Sequence, residues 1–106
     1  MFPRAVARAP VDVMVTVWNE QTRSETVALA SELRKGGLRV EIYPDADRLS
    51  KQFKYASSVG VPIVAVLGDD ERAAGTVAFK DLRSGEQHSI AREQATAFAQ
   101  RTLEQT

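Results

Sequence analysis

Pro62-Ile63-Val64-Ala65-Val66-Leu67-Gly68 decides the fold. Its apolar run has no polar break and is bounded by two residues that punctuate secondary structure. A strand with one wet face alternates in polarity, whereas a strand covered on both faces reads as a continuous hydrophobic run. Residues 63–67 therefore predict a central strand with helices above and below it.

Working upstream, Val11, Val13, Val15 and Val17 alternate with Asp12, Met14 and Thr16, a period of two that predicts a strand with one firmly buried face. Thr22 and Glu25 have the spacing of a capping box. The helix that follows places Thr26, Leu29, Ala30 and Leu33 along neighbouring turns. Arg34 and Lys35 stand where the helix dipole favours cations, and Gly36-Gly37 permits a left-handed stop. Leu38, Val40 and Ile42 alternate with Arg39, Glu41 and Tyr43, a second strand nearer an edge. Asp45 or Asp47 is placed to cap a second helix whose Leu49, Phe53 and Ala56 share a side, and Gly60 ends it. Strands that alternate with helices predict a parallel core joined by right-handed crossovers.

Downstream of Gly68 the pattern changes. Residues 69–75 read as an acidic loop or single turn, residues 76–82 as a strand, Ser84-Gly85 as a turn and residues 87–90 as a returning strand. Ser89 is expected to cap a last helix with Ala91, Ala95, Phe98 and Thr102 on one side. The expected architecture is α/β: a mixed sheet of about five strands with three helices. Residues 11–106 form the domain, and residues 1–10 form a leader or linker, with an organelle-targeting remnant as the lesser alternative.

The 106 residues suit one domain, large enough to fold without disulfides or a structural metal. The absence of cysteine excludes thiolate metal sites and cysteine nucleophiles, and suits a reducing compartment. Fourteen Lys and Arg balance fourteen Asp and Glu, which counts against tight autonomous binding to nucleic acid but leaves room for a local basic patch. No stretch is long and apolar enough to span a membrane.

Catalytic signatures are missing. Gly68 and Gly75 are followed by no Gly-Lys-Ser/Thr, and no Gly-x-Gly-x-x-Gly follows the first strand. Trp18-Asn19-Glu20 stands there instead, at the strand end where open α/β sheets hold ligands. Asn19 and Glu20 either read a partner's hydrogen-bonding edges or cap and solvate a helix start; Trp18 either stacks on a base or packs. Asp69-Asp70-Glu71 lacks a partner motif for a metal, and His88, the single histidine, lacks a triad companion. The second helix is more informative. Arg48, Lys51 and Tyr55 share a face with Lys54 beside them, and residues 48–68 contain no acid. A positive ridge of this kind sits on phosphates or is simply solvated.

Several ordered blocks carry a family resemblance. Leu49-Ser50-Lys51-Gln52-Phe53-Lys54-Tyr55-Ala56 resembles the helix of the histidyl-tRNA synthetase anticodon-binding domain, followed at the expected distance by Gly60-Val61-Pro62-Ile63. Leu67-Gly68-Asp69-Asp70-Glu71 and Gly75-Thr76-Val77 are similar to its third-strand exit and fourth-strand entry. Lys80-Asp81-Leu82-Arg83-Ser84-Gly85-Glu86-Gln87 is similar to its closing hairpin, and Leu33-Arg34-Lys35-Gly36-Gly37-Leu38-Arg39-Val40-Glu41 also fits. The resemblance runs from about Val11 to Leu103.

It implies the C-terminal domain of a cytoplasmic class II aminoacyl-tRNA synthetase, one that binds the anticodon arm of histidine tRNA without a cofactor or metal and carries no aminoacylation chemistry. The catalytic domain of the parent histidine–tRNA ligase is not among these residues, so a fragment and a stand-alone domain are both open. On this resemblance Lys51 and Lys54 are expected to position phosphates. Lys80, Asp81, Arg83, Glu86 and Gln87 are expected to offer donors and acceptors around the sheet edge, with Asn19 and Glu20 meeting the same surface. The alternative is a stand-alone protein-interaction or dimerisation module that reuses the fold, a homodimer included.

Overall fold

The computed structural model describes residues 11–44 and 48–104. The leader and the two candidate caps Asp45 and Asp47 lie outside them. Strand β1 (Val13–Val15) is followed by a 3-10 turn (Glu20–Thr22), helix α1 (Arg23–Lys35), β2 (Val40–Ile42), α2 (Leu49–Ser58), β3 (Ile63–Val66), α3 (Asp69–Ala74), β4 (Thr76–Asp81), β5 (Gln87–Ala91), a second 3-10 turn (Arg92–Gln94) and α4 (Ala95–Glu104). The strands form one sheet in the order β2-β1-β3-β4-β5. β1 runs parallel to both β2 and β3, whereas β4 is antiparallel to β3 and β5. The expected mixed sheet is thus present. Its additional short helix, α3, occupies the segment read as an acidic loop or single turn.

Pleating sorts the core into two layers. Val13, Val15, Ile63, Ala65, Val77 and Phe79 pack beneath Leu29, Ala30 and Leu33 of α1 and Ala95 and Ala99 of α4. Met14, Val64, Val66 and Ala78 project the other way, against Ala56 of α2 and Tyr43, with Leu49 and Phe53 alongside. β1 is therefore buried on both faces, not one: Met14 and Thr16 are as inaccessible as Val13 and Val15. Alternating Asp12, Met14 and Thr16 masked this, because a thioether and a hydroxyl fit a core once the hydroxyl is bonded. Thr16 Oγ1 donates to the Ala65 carbonyl at 3.2 Å.

Two helix starts differ from expectation. The capping box belongs to Asn19 and Thr22, not to Thr22 and Glu25. Asn19 Oδ1 accepts from the Thr22 amide at 3.0 Å, and Thr22 Oγ1 accepts from the Asn19 amide at 3.4 Å. A 3-10 turn precedes α1, so the cap satisfies that turn's donors, and Thr22 makes no side-chain cap to α1. Ser89 caps nothing; it lies inside β5, and α4 starts at Ala95.

Gln52 is the most buried polar side chain that periodicity did not single out. It is fully enclosed, and its amide bonds both backbone groups of Val17: Oε1 accepts from Val17 N at 2.9 Å and Nε2 donates to Val17 O at 3.0 Å. The side chain acts as a strand neighbour where the backbone ladder has run out.

Candidate nucleic-acid interface

Trp18 leaves the core immediately after β1 and is 39% exposed. Its ring lies against Gly68: a Cβ on that glycine would stand 3.0 Å from Trp18 Cε3 and 2.9 Å from Glu71 Oε1. Glu71 in turn accepts from the Gly68 amide at 2.9 Å, holding the start of α3. The indole is therefore seated on a position that only glycine leaves open. It walls a groove of about 360 Å³ on the α2 side of the sheet, whose other surfaces include Leu49, Phe53, Val66, Ala78 and Gln87, with Asp69, Asp70 and Glu71 at its rim.

Lys80 shares this side. It sits opposite Gln87 in the β4–β5 ladder, and its Nζ lies 5.1 Å from the centroid of the Phe53 ring. The outer strands are not covered by α2 here, so Gln87 and Ser89 remain exposed. The groove thus combines aromatic surface, an amide with donors and acceptors, and a cation placed over a ring.

Lys51, Lys54 and Tyr55 are exposed on α2, as is Arg48 at its N-cap. At 100° per residue, Lys54 stands opposite the buried Gln52 and Ala56, pointing straight away from the sheet. Lys51 leans to the Tyr55 flank, where the Tyr55 ring meets Tyr43 edge-on at 5.6 Å. Phe53 takes the other flank, toward Lys80.

The remaining candidates fall elsewhere. Asp81 and Glu86 join His88 on the α4 side of the sheet, around a separate cavity of about 250 Å³ floored by Ile63, Phe79 and Phe98. Alternation separates them from Lys80 and Gln87, their chain neighbours. Arg83 binds Asp81 through Nε and Nη2, each at 3.1 Å, and Nη2 also donates to the Thr102 carbonyl at 2.9 Å. The Arg83 guanidinium holds the Asp81 carboxyl below its usual range, and Asp81 raises Arg83 in turn. This cluster pins the hairpin to the end of α4. Glu86 Oε1 lies 3.5 Å from His88 Nε2.

Asn19 and Glu20 stand at the far end of the sheet from the hairpin. Asp81 is level with Ile63 and Val13, at the start of β1, whereas Asn19 follows the strand's exit. The length of chain between Val13 and Val17 alone spans roughly 13 Å. Asn19 is occupied as a cap. Glu20 receives Arg23 at 3.0 and 2.8 Å, an exposed pair that lowers the Glu20 pKa. The structure thus brings Lys80 and Gln87 together, adds Trp18 and Phe53, sets Lys51 and Lys54 on the neighbouring helix, and separates the others. Phe53 was legible only as core, because its position on the helix flank depends on which strands α2 leaves bare. Among the described residues no group of three or more His, Asp or Glu is placed to hold a metal.

Residues 12–102 match the family model described as an anticodon binding domain. The histidine–tRNA ligase of Xylella fastidiosa (strain M23) is 43% identical over 100 residues, which cover 94% of this chain and 22% of that protein. That of Xanthomonas axonopodis pv. citri (strain 306) is 35% identical, covering 96% and 21%. The chain therefore spans about a fifth of the length of these curated relatives. The crystal structure of histidyl-tRNA synthetase from Nostoc sp. PCC 7120 superposes with a TM-score of 0.87 at 30% identity, covering 90% of this chain and 23% of that one. The RNA binding domain of threonyl-tRNA synthetase from Cryptosporidium parvum Iowa II shares the fold, with a TM-score of 0.79 at 17% identity, covering 88% and 24%. With its ordered motifs, its mixed sheet and a family match over nearly its whole length, the chain belongs to the anticodon-binding domain family and resembles the histidyl-tRNA synthetase branch of it.

Proposed function

We propose that the domain binds the anticodon arm of histidine tRNA and supplies recognition, not chemistry, to histidine aminoacylation. The observation that carries this is the groove between Trp18, Phe53 and Gln87, with Lys80 beside it and the acid-free α2 next to it. Unstacked loop bases are recognised by stacking on aromatic rings and by hydrogen bonds to their edges. Trp18 offers the exposed ring, Phe53 an apolar wall under Lys80, and Gln87 the donors and acceptors. Lys51, Lys54 and Lys80 meet phosphates and set affinity. Asn19 and Glu20 approach the loop from the far end of the sheet, while Asp81, Arg83 and Glu86 hold the hairpin that presents Lys80 and Gln87.

With no formal net charge, the isolated domain binds weakly, and linkage to a synthetase catalytic domain raises affinity through effective concentration. The setting is protein synthesis in the cytoplasm. No helix of the described residues is long and apolar enough to cross a membrane.

Trp18 is the only tryptophan, which makes it a reporter of its own groove. Adding a histidine-tRNA anticodon stem-loop is expected to change its fluorescence, and Trp18→Ala to weaken binding by about 1–3 kcal/mol, the range for loss of one base-stacking ring. Unchanged emission at saturation, with undiminished affinity in the alanine variant, removes the groove from the interface.

A further inference from the structure

We propose that Arg72 and Glu25 are positioning residues for RNA recognition: their ion pair fixes where the Trp18 ring is presented, without itself touching RNA. This role presupposes the anticodon-arm reading above and assigns the part of the fold that holds the stacking ring in place.

Helix α3 needs such a tie. Its six residues are too few for a helix that is stable alone, and none of its side chains is buried. A cavity of about 150 Å³ lies between α1 and α3, lined by Ala28, Leu67, Gly75 and Thr76, so a gap and not packed side chains separates the two helices. Glu25 and Arg72 line the same cavity, and Arg72 Nε donates to Glu25 Oε1. Among the described residues this is the one side-chain hydrogen bond from α3 to another element. Arg72 Nη1 also reaches Asp69 Oδ1 at 3.4 Å, within α3. The Glu25 hydrogen bond is the main reason that the guanidinium is held above its usual range.

The pair closes a ring around Trp18. In one direction the chain runs from Trp18 through the 3-10 turn to Glu25, in the first turn of α1. In the other, the indole lies on Gly68, whose carbonyl accepts from the Arg72 amide at 2.9 Å. Joining Arg72 to Glu25 therefore fixes the seat of the ring relative to the segment that carries the ring. Without the pair, Gly68 and α3 are free to drift from the indole. Helix α1 covers the sheet face opposite α2, so Glu25 stands apart from the Lys51–Lys54 ridge.

Glu25→Gln separates placement from charge. It removes one negative charge from a chain without net charge, so electrostatics alone would tighten RNA binding. Loss of the tie is expected instead to weaken binding of the histidine-tRNA anticodon stem-loop about two- to fivefold, the range for an exposed ion pair. The dependence of log K on log salt is expected to stay that of the wild type, because no phosphate contact is lost. Arg72→Gln is expected to weaken binding by the same factor with the same slope. The double variant, again without net charge, is expected to be no weaker than either single one. All three are expected to share one shifted Trp18 emission before RNA is added, with the circular dichroism of the parent.

Unchanged or tighter stem-loop binding by Glu25→Gln overturns the proposal, whatever its emission. So do losses that add in the double variant. So does a slope reduced by about 0.7 in Arg72→Gln, which makes Arg72 a phosphate contact. A wild type that binds no stem-loop fails the anticodon reading and this role with it, whereas variants that bind as the wild type does fail this role alone.

Discussion

Gln52 shows how much one side chain can decide. Both backbone groups of Val17 are buried and depend on its amide. Gln52→Leu keeps the approximate bulk but leaves a donor and an acceptor unmet, at a cost of about 1–3 kcal/mol for each group that water cannot reach. We expect a total loss of about 3 kcal/mol in urea unfolding, with the fold retained. A change below about 0.5 kcal/mol would mean that Val17 finds other partners. Hydrophobic pattern could not reveal Gln52, since a glutamine between Lys51 and Phe53 reads as surface until the strand beneath it is known. Gly68 was equally opaque. Its glycine is required by the Trp18 ring and not by a phosphate loop, and only the fold brings those two residues together.

Among the elements, α2 and the β4–β5 hairpin carry most of the residues that the proposed function assigns to RNA, and each makes its own prediction. Lys51→Ala with Lys54→Ala is expected to weaken RNA binding for every sequence and to flatten the dependence of log K on log salt by about 1.4, two single-strand phosphate contacts' worth. An unchanged slope takes the α2 ridge out of the interface. In the hairpin, Asp81 has a folded pKa below its ordinary value of about 3.9 because Arg83 binds its charged form. The pair's stabilisation is therefore fully present above about pH 4 and is lost as pH falls through the depressed value. Wild type and Arg83→Met should differ in melting temperature at pH 5–7 and converge on acidification. A difference that persists at low pH would assign the effect to the Thr102 contact instead. The strands and long helices were legible because their periods of two and 3.6 differ. The misplaced cap at Thr22 arose because Asn19-x-x-Thr22 and Thr22-x-x-Glu25 overlap, and spacing alone does not reveal a 3-10 turn between them. The grouping of the hairpin's polar residues was also illegible. Lys80, Asp81, Glu86 and Gln87 are near in sequence, but pleating sends the first and last to one side and the middle pair to the other.

For the whole molecule, what matters is that a chain without net charge collects its aromatic groove and its acid-free helix on one side of the sheet. On the proposed function, overall balance limits affinity, while local arrangement sets what is recognised. Family membership was legible because several motifs recur in order across nearly the whole length, and the match to residues 12–102 covers the same span. The central claim is that this side of the domain distinguishes one anticodon from another. The direct measurement is a titration of the domain at low salt with the histidine-tRNA anticodon stem-loop and, in parallel, with a stem-loop of the same length bearing an unrelated anticodon. Tighter binding of the histidine stem-loop is predicted, and equal affinity for the two, or none for either, would contradict it.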